Sequence, residues 1–510
     1  MAESPSKRAG SPVLPLLSGA DHDGAPLHAR VYRQMREHIL RGALRPGARL
    51  PSARMLAADL GVSRNTIEAA VTQLRAEGFV VRRVGSGTFV AAAVPDLVAP
   101  DRPGRRARAR SGERGGRASA PPAPPPPPRL SSRGRSIAQL GATELEEEAR
   151  ANPCATDVRG FPVRTWNRLL ARRARQVGAA ALLPADPAGV PRLRQAIADH
   201  LRLTRGVRCD AAQVIVVNST QQAVDLAARL LLEPGATALV EDPGYPSARA
   251  ALAAAGASVR GVPVDRGGLV TDALPDEPGA RLLYLTPSHQ FPLGVTMALA
   301  RRLAVLRWAA ATGAWVLEDD YDSEFRYDGR PLASLQGLDP AGRTLYVGTF
   351  NKVLFPAIRL AYLVVPPALA ADFIAARRVL DGFSPTLLQL SLADFITDGH
   401  FTAHLRQARQ RYAARRDALV RGVAAEWGDA VRLGPSDTGL HLVAHLRAGV
   451  SDIHIARAAP AGGIGIAPLS RYYLHRKPSP GLLLTYGAAT LEEIGASIRR
   501  LAPLVARERR

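Results

Sequence analysis

Residues 101–135 read DRPGRRARARSGERGGRASAPPAPPPPPRLSSRGR, with ten arginines, two acids and a proline run at 124–128. Such a stretch cannot bury enough apolar surface to offset the entropy of ordering it, and consecutive prolines keep it extended. It predicts a semi-stiff, positively charged linker over 94–136. The chain must then fold as separate bodies on either side: a small domain over 25–93 and a large one over 137–510. Residues 1–24, polar and rich in Pro and Gly, are expected to form a disordered tail.

The charge balance narrows the partners. A formal charge of +22 and a pI near 11.0 are unusual for a metabolic enzyme and point to a polyanion, most often nucleic acid. Only Cys154 and Cys209 occur, which excludes a disulfide framework and a zinc-finger spacing. The N-terminus MAESPSKRAGSP lacks an apolar signal core and no run approaches a membrane span, so the expected location is the cytoplasm, on the nucleoid when bound to DNA.

In the small domain, Leu27, Val31, Met35 and Ile39 recur at helical spacing and Gly42 closes the segment. Ser52 is placed to cap a second helix burying Met55, Leu56 and Leu60, with Gly61 ending it. Ser63 caps a third, which turns Ile67, Val71 and Leu74 inward and stops at Gly78. Two short helices joined by a Gly-containing turn form a helix-turn-helix, and the hairpin Phe79 to Val90, tipped by Gly85-Ser86-Gly87, is a wing. Arg64, Asn65 and Thr66 sit on the first turn of the third helix, where side chains reach base edges, with Ser63 just ahead. Arg54, Arg82 and Arg83, with Gly85 and Ser86 at the tip, suit backbone contacts. Each arginine alone is more often a solvated surface charge; the ordered arrangement argues for double-stranded DNA.

Beyond residue 137, strand-like runs at 214–217, 238–241, 282–285, 315–317, 344–347 and 360–365 alternate with Ala/Leu/Arg-rich helices. That alternation predicts an α/β domain around a mostly parallel sheet, with a smaller α+β lobe in the final hundred residues. WVLEDDYDSEF delivers Asp319 and Tyr321 to a strand's carboxyl end, where ligands bind open α/β sheets. VIVVNSTQQAVDL leads a strand into a helix whose first N–H groups, near Ser219, Thr220 and Gln221, form an anion site. GTFNKVLFPAIRLAYLVV sets Lys352 in an apolar run, Thr349 three residues before it and Arg359 seven after. Singly, the lysine snorkels, the acid caps a strand and the Ser-Thr pair is an N-cap. Together, an amine, a carboxylate, a phenol and a phosphate cradle are what pyridoxal phosphate requires.

RLPSAR (49–54) and GVSRNT (61–66) resemble the GntR family of bacterial winged-helix regulators, and 140–510 resembles the fold-type-I aminotransferases. With TPSHQFPLGVTM (286–297), LEDDYDSEF (317–325) and the lysine phrase, the whole chain resembles the MocR/GabR subfamily, regulators that fuse the two. The resemblance implies Lys352 as the Schiff-base residue, Asp319 and Tyr321 as ring partners, and Arg359 as a phosphate ligand. It also sets Tyr245 near the ring and Gln290 near the phenolic oxygen, and leaves His289 either a packed polar residue or a proton carrier. Leu483 stands where aminotransferases carry a carboxylate-binding arginine, leaving Arg471 or Arg164 as substitutes. The expected function is a homodimeric, PLP-dependent transcription regulator sensing PLP, an amine or an amino acid. The alternative is a working aminotransferase with an accessory DNA tether.

Overall fold

The computed structural model describes residues 26–92, 130–131, 133–139, 141–142, 156–276, 279–329, 332–459 and 462–507. The tail expected at 1–24 and most of the linker expected at 94–136 lie outside them. The chain divides into two compact units, Met1–Pro124 and Pro125–Arg510.

In the first unit α1 (Leu27–Leu40) buries Val31, Met35 and Ile39, while Leu27, at the helix start, stays exposed. α2 (Ala53–Leu60) begins where the Ser52 hydroxyl accepts the Met55 N–H at 3.3 Å, and ends at Gly61 in the left-handed region. Met55 is 51% exposed, contrary to its expected burial: on an eight-residue helix only the Leu56 side faces the core. α3 (Arg64–Ala76) is capped by Ser63 and buries Ile67, Ala70 and Leu74. β1 (Val80–Arg83) and β2 (Gly87–Val90) pair antiparallel as the wing, which Phe79 and Val90 anchor to the same core. Burial of each large apolar side chain there contributes about 1.5–3 kcal/mol toward holding the three helices and the hairpin together.

The second unit is built on an eight-stranded sheet in the order β3-β10-β9-β8-β7-β4-β5-β6. Its strands are β3 (Val214–Val217), β4 (Thr237–Asp242), β5 (Ser258–Asp265), β6 (Gly268–Leu269), β7 (Ala280–Leu285), β8 (Trp315–Asp320), β9 (Thr344–Thr349) and β10 (Ala361–Val364). β8 runs parallel to β7 and β9, and β4 to β5 and β7. β10 is antiparallel to both β9 and β3, so β3 points the same way as β9. Strands such as VIVV are buried along their whole length because apolar layers cover both faces, and this is why they read as unbroken apolar runs. β3, β9, β8, β7 and β4 therefore release their carboxyl ends along one edge, and β10 enters there through Ala361, opposite Thr349 and Val217.

A second sheet follows, β11 (Val431–Leu433), β12 (His441–Leu446), β13 (Gly465–Pro468) and β14 (Gly481–Thr485), antiparallel in the order β11-β12-β14-β13. This is the expected α+β lobe. Among the described residues no helix is long and apolar enough to cross a membrane.

Candidate functional site

The carboxyl edge of the large sheet gathers the predicted cofactor residues. Asp319, one residue before the end of β8 and 3% exposed, has an Oδ2 that accepts the Tyr284 hydroxyl of neighbouring β7 at 2.6 Å. Its Oδ1 is buried with no hydrogen-bond partner among the described residues. Burial pushes this acid up to about 7, with the Asp320 and Asp322 charges adding to the effect, while the Tyr284 bond and the Lys352 charge pull it down. A buried acceptor left open costs about 1–3 kcal/mol, so the arrangement suits a donor supplied from outside the chain.

Lys352 lies half-buried in the turn after β9, with Val353 and Leu354 buried beside it. Register sets Asp319 opposite Val347 and Asp320 opposite Gly348, so this turn and the carboxylates share one edge. Only glycine fits at 348, since a Cβ there would meet the Tyr362 ring at 2.3 Å. Thr349 is buried and its hydroxyl accepts the Asn351 N–H at 3.2 Å; Asn351 Oδ1 has no partner among the described residues. Arg359 is exposed at φ +49°, and among the described residues it is the one non-glycine with positive φ. That conformation costs a side-chain-bearing residue about 1–2 kcal/mol and clusters at ligand clamps.

The remaining candidates differ in how free they are. Ser219 caps the helix Thr220–Leu231, accepting the Gln222 N–H at 3.1 Å, and Thr220 and Gln221 form its first turn. Tyr245, half-buried after β4, packs edge-on to Phe291 at 5.5 Å. The Gln290 amide donates to the carbonyls of Pro243 and Phe291 at 2.9 and 2.6 Å and accepts the Leu293 N–H at 3.1 Å. It braces two loops. Tyr321 donates to the His289 carbonyl at 3.0 Å, its Oη also 3.0 Å from His289 Nδ1. Nδ1 in turn lies 2.9 Å from Asp322, and the His441 ring sits 4.7 Å away. His289 Nε2 is buried with no hydrogen-bond partner among the described residues. Burial, then the neighbouring His289, holds His441 well below the ordinary imidazole range.

Sequence reading missed the supports of this edge. Tyr284 lies two residues ahead of the TPSHQ phrase and is read only once β7 and β8 are paired. Arg205 pairs with Asp320 at 2.7 Å, both buried, and reaches Ser288 Oγ at 2.7 Å. Leu483, fully buried in β14, faces an apolar cluster of Phe291, Val443, Ala467, Leu469 and Tyr472, against which Tyr245 and Tyr321 pack. Arg471 sits in the turn Leu469–Tyr472 and Arg164 is exposed on the helix Val163–Val177.

On the small unit, a concavity between α2, α3 and the wing is lined by Arg49, Ser52, Arg54, Arg64, Glu68, Thr72, Arg75, Arg82 and their neighbours. Ser63 and Thr66 bond each other through their hydroxyls at 2.8 Å, so both serve the cap, and Asn65 is exposed beside them. Arg83 lies over the Phe89 ring at 4.9 Å, while its strand neighbour Arg82 lines the concavity. Gly85 and Ser86 form the tip, with Ser86 N–H bonded to the Arg83 carbonyl at 3.0 Å. Arg49 and Arg75 were not expected here.

Comparison with known proteins agrees with both halves. The profile for bacterial regulatory proteins of the gntR family matches 27–90, and that for aminotransferase class I and II matches 156–460. The chain is 41% identical, over 90% of each sequence, to the probable rhizopine catabolism regulatory protein MocR of Rhizobium meliloti. It belongs to the MocR subfamily of GntR-type transcriptional regulators. The regulator of pyridoxine biosynthesis PdxR from Corynebacterium glutamicum is 32% identical over 92% of this chain and 93% of its own. Among solved structures, a kynurenine aminotransferase from Pyrococcus horikoshii in complex with PMP matches with TM-score 0.66 and 25% identity, covering 75% of this chain and 96% of that one. The α-aminoadipate aminotransferase LysN of Thermus thermophilus, carrying a phosphopyridoxyl-leucine, matches with TM-score 0.66 and 26% identity. In this MocR-type chain, the large domain has the pyridoxal-phosphate fold of those enzymes. Its open Asp319 oxygen, the lysine turn and the strained arginine fit that cofactor.

Proposed function

We propose that this chain binds promoter DNA through its winged helix-turn-helix and adjusts that binding when its large domain takes up pyridoxal phosphate or an amine. The observation that carries the reading is the buried Asp319 oxygen, without a partner among the described residues, on the same sheet edge as Lys352 and Arg359, in a chain that also carries a basic winged helix. Bound there, pyridoxal phosphate would supply an aldehyde that amines capture and a ring that withdraws electrons.

The chain's own residues have separable tasks. Lys352 presents the amine that holds the cofactor. Asp319, kept dry, accepts a proton-bearing ring nitrogen far better than an exposed acid does, because the bond forms in low dielectric. Arg359, Thr349 and the first turn at Ser219, Thr220 and Gln221 hold the phosphate, Arg359 by a charge-assisted fork. Tyr321 and Tyr245 border the ring. Leu483 and its apolar neighbours leave an α-carboxylate without a bidentate partner at that wall, which favours PLP itself or a carboxylate-poor amine over an ordinary amino-acid substrate. We assign 25–93 to the DNA reader, 94–136 to the linker and 137–510 to the sensor, and expect a homodimer. A ligand acts only through unequal affinity for two arrangements of these domains.

Borohydride reduction of the protein with PLP, followed by peptide mapping, tests the site. The mass of a phosphopyridoxyl group on Lys352 is the expected result. A label elsewhere, or none, removes the sensor from the proposal.

A further inference from the structure

The DNA-facing concavity carries one feature that a simple phosphate clamp does not explain. Arg49, Arg54, Arg64, Arg75 and Arg82 line it, and in their midst stands a carboxylate, Glu68. Glu68 lies one helical turn after Arg64 on the exposed side of α3, opposite the buried Ile67, Ala70 and Leu74. Pressed toward a duplex, a carboxylate meets a dense array of phosphates and weakens any sequence-independent attraction. It is tolerable only where something on the DNA or on the protein donates to it.

Both kinds of donor are available to Glu68. Its Oε1 accepts Arg64 Nε at 2.8 Å. That bond uses the guanidinium's inner N–H and leaves the two terminal amino groups as an outward fork, the geometry that matches the O6 and N7 acceptors of guanine. Glu68 Oε2 stays available. In the major groove the base-edge donors are the exocyclic amino groups of cytosine and adenine, and cytosine N4 is the usual partner of a glutamate. An arginine and a glutamate one turn apart on a recognition helix reach neighbouring base pairs.

We propose that Glu68 is a specificity residue: it orients Arg64 for a guanine and itself selects an amino-bearing base, cytosine before adenine, at the adjacent position. The carboxylate thus lowers binding to arbitrary DNA while adding discrimination at one position. This rests on reading α3 as the DNA recognition helix.

The test is selection from a randomised duplex library by the full chain, wild type, Glu68→Ala and Glu68→Gln, with affinities for a fixed non-specific duplex measured at two salt concentrations. Glu68 is exposed on the helix surface, so these variants are expected to fold; matched melting curves check this. For wild type, a guanine with an adjacent cytosine or adenine should be enriched. Glu68→Ala should lose about tenfold discrimination at that adjacent position, keep the remaining pattern, and bind the non-specific duplex more tightly. Glu68→Gln should move the preference toward adenine, the base an amide reads in two contacts. If wild type selects a sequence and Glu68→Ala selects the same one with unchanged preference at every position, the specificity role is wrong and DNA recognition by α3 stands. If wild type enriches no sequence, the recognition-helix reading fails and the proposal falls with it.

Discussion

Replacing Asp319 with asparagine separates what this carboxylate offers a cofactor from what it does to the cofactor-free protein. Burial raises the acid from 3.8 to about 7, and at 3% exposure water does little to screen it. An acid raised in the folded state destabilises that state once ionised: its effect is absent below the unfolded value and grows as pH rises, reaching its full size above about 7. At about 1.36 kcal/mol per pH unit, the ionised form lowers stability by roughly 4 kcal/mol at pH 8. Asparagine removes that term, but its amide nitrogen would occupy the place of the unpartnered Oδ1 and restore about 1–3 kcal/mol of cost. The net expectation is that Asp319→Asn is more stable than wild type by about 1–3 kcal/mol at pH 8, and no more stable than wild type near pH 4. Urea unfolding of the cofactor-free full chain across this range measures it. Glu318 is pushed by burial to about 7 as well and cancels in the difference between the two proteins, whereas Glu241, also near 7, is raised partly by the Asp319 charge, so losing that charge adds to the gain of Asp319→Asn at pH 8. The same variant should bind PLP at least about tenfold more weakly, because a neutral amide cannot form the charge-assisted bond that a carboxylate gives a protonated ring nitrogen. A variant less stable than wild type at pH 8, or a difference that does not change with pH, refutes the reasoning.

Other perturbations probe the frame around the site. Arg205→Met strips buried Asp320 of its ion-pair partner and should destabilise the large domain by about 3–5 kcal/mol, seen as a lower melting temperature. Arg359→Gly relieves a positive φ of 49° and should raise stability by about 1 kcal/mol while weakening PLP in equilibrium dialysis. Gly439→Ala places a Cβ 1.9 Å from the His289 ring at φ +84°, and should lower the melting temperature and disturb the His289–Asp322 pair, visible in the imidazole NMR signals. Ser63→Ala removes the α3 cap and should destabilise the small domain by about 1 kcal/mol in urea unfolding.

Much of this was legible because local chemistry and burial agree. The caps at Ser52 and Ser63, the glycine stops and the runs at β3, β4, β7, β8, β9 and β10 are each written in a few adjacent residues. β5, SVRGVPVD, was missed because Arg260, Gly261 and Pro263 interrupt its apolar residues. What one stretch cannot reveal is who stands opposite: Tyr284 finds Asp319, and Arg205 finds Asp320, only through strand pairing and chain return over long separations. The bonds of the Gln290 amide to the Pro243 and Phe291 carbonyls likewise depend on loops that meet only in the fold. Met55 was read by helical spacing, which on a helix as short as α2 leaves the buried face undefined by a whole position.

The central claim is that cofactor chemistry at Lys352 is read out as DNA affinity. It is tested most directly by titrating a promoter duplex from beside the gene with the full-length protein, wild type and Lys352→Ala, with and without PLP. Wild-type affinity should change with PLP and that of Lys352→Ala should not. An affinity indifferent to PLP in wild type, or a response of equal size in Lys352→Ala, would contradict it.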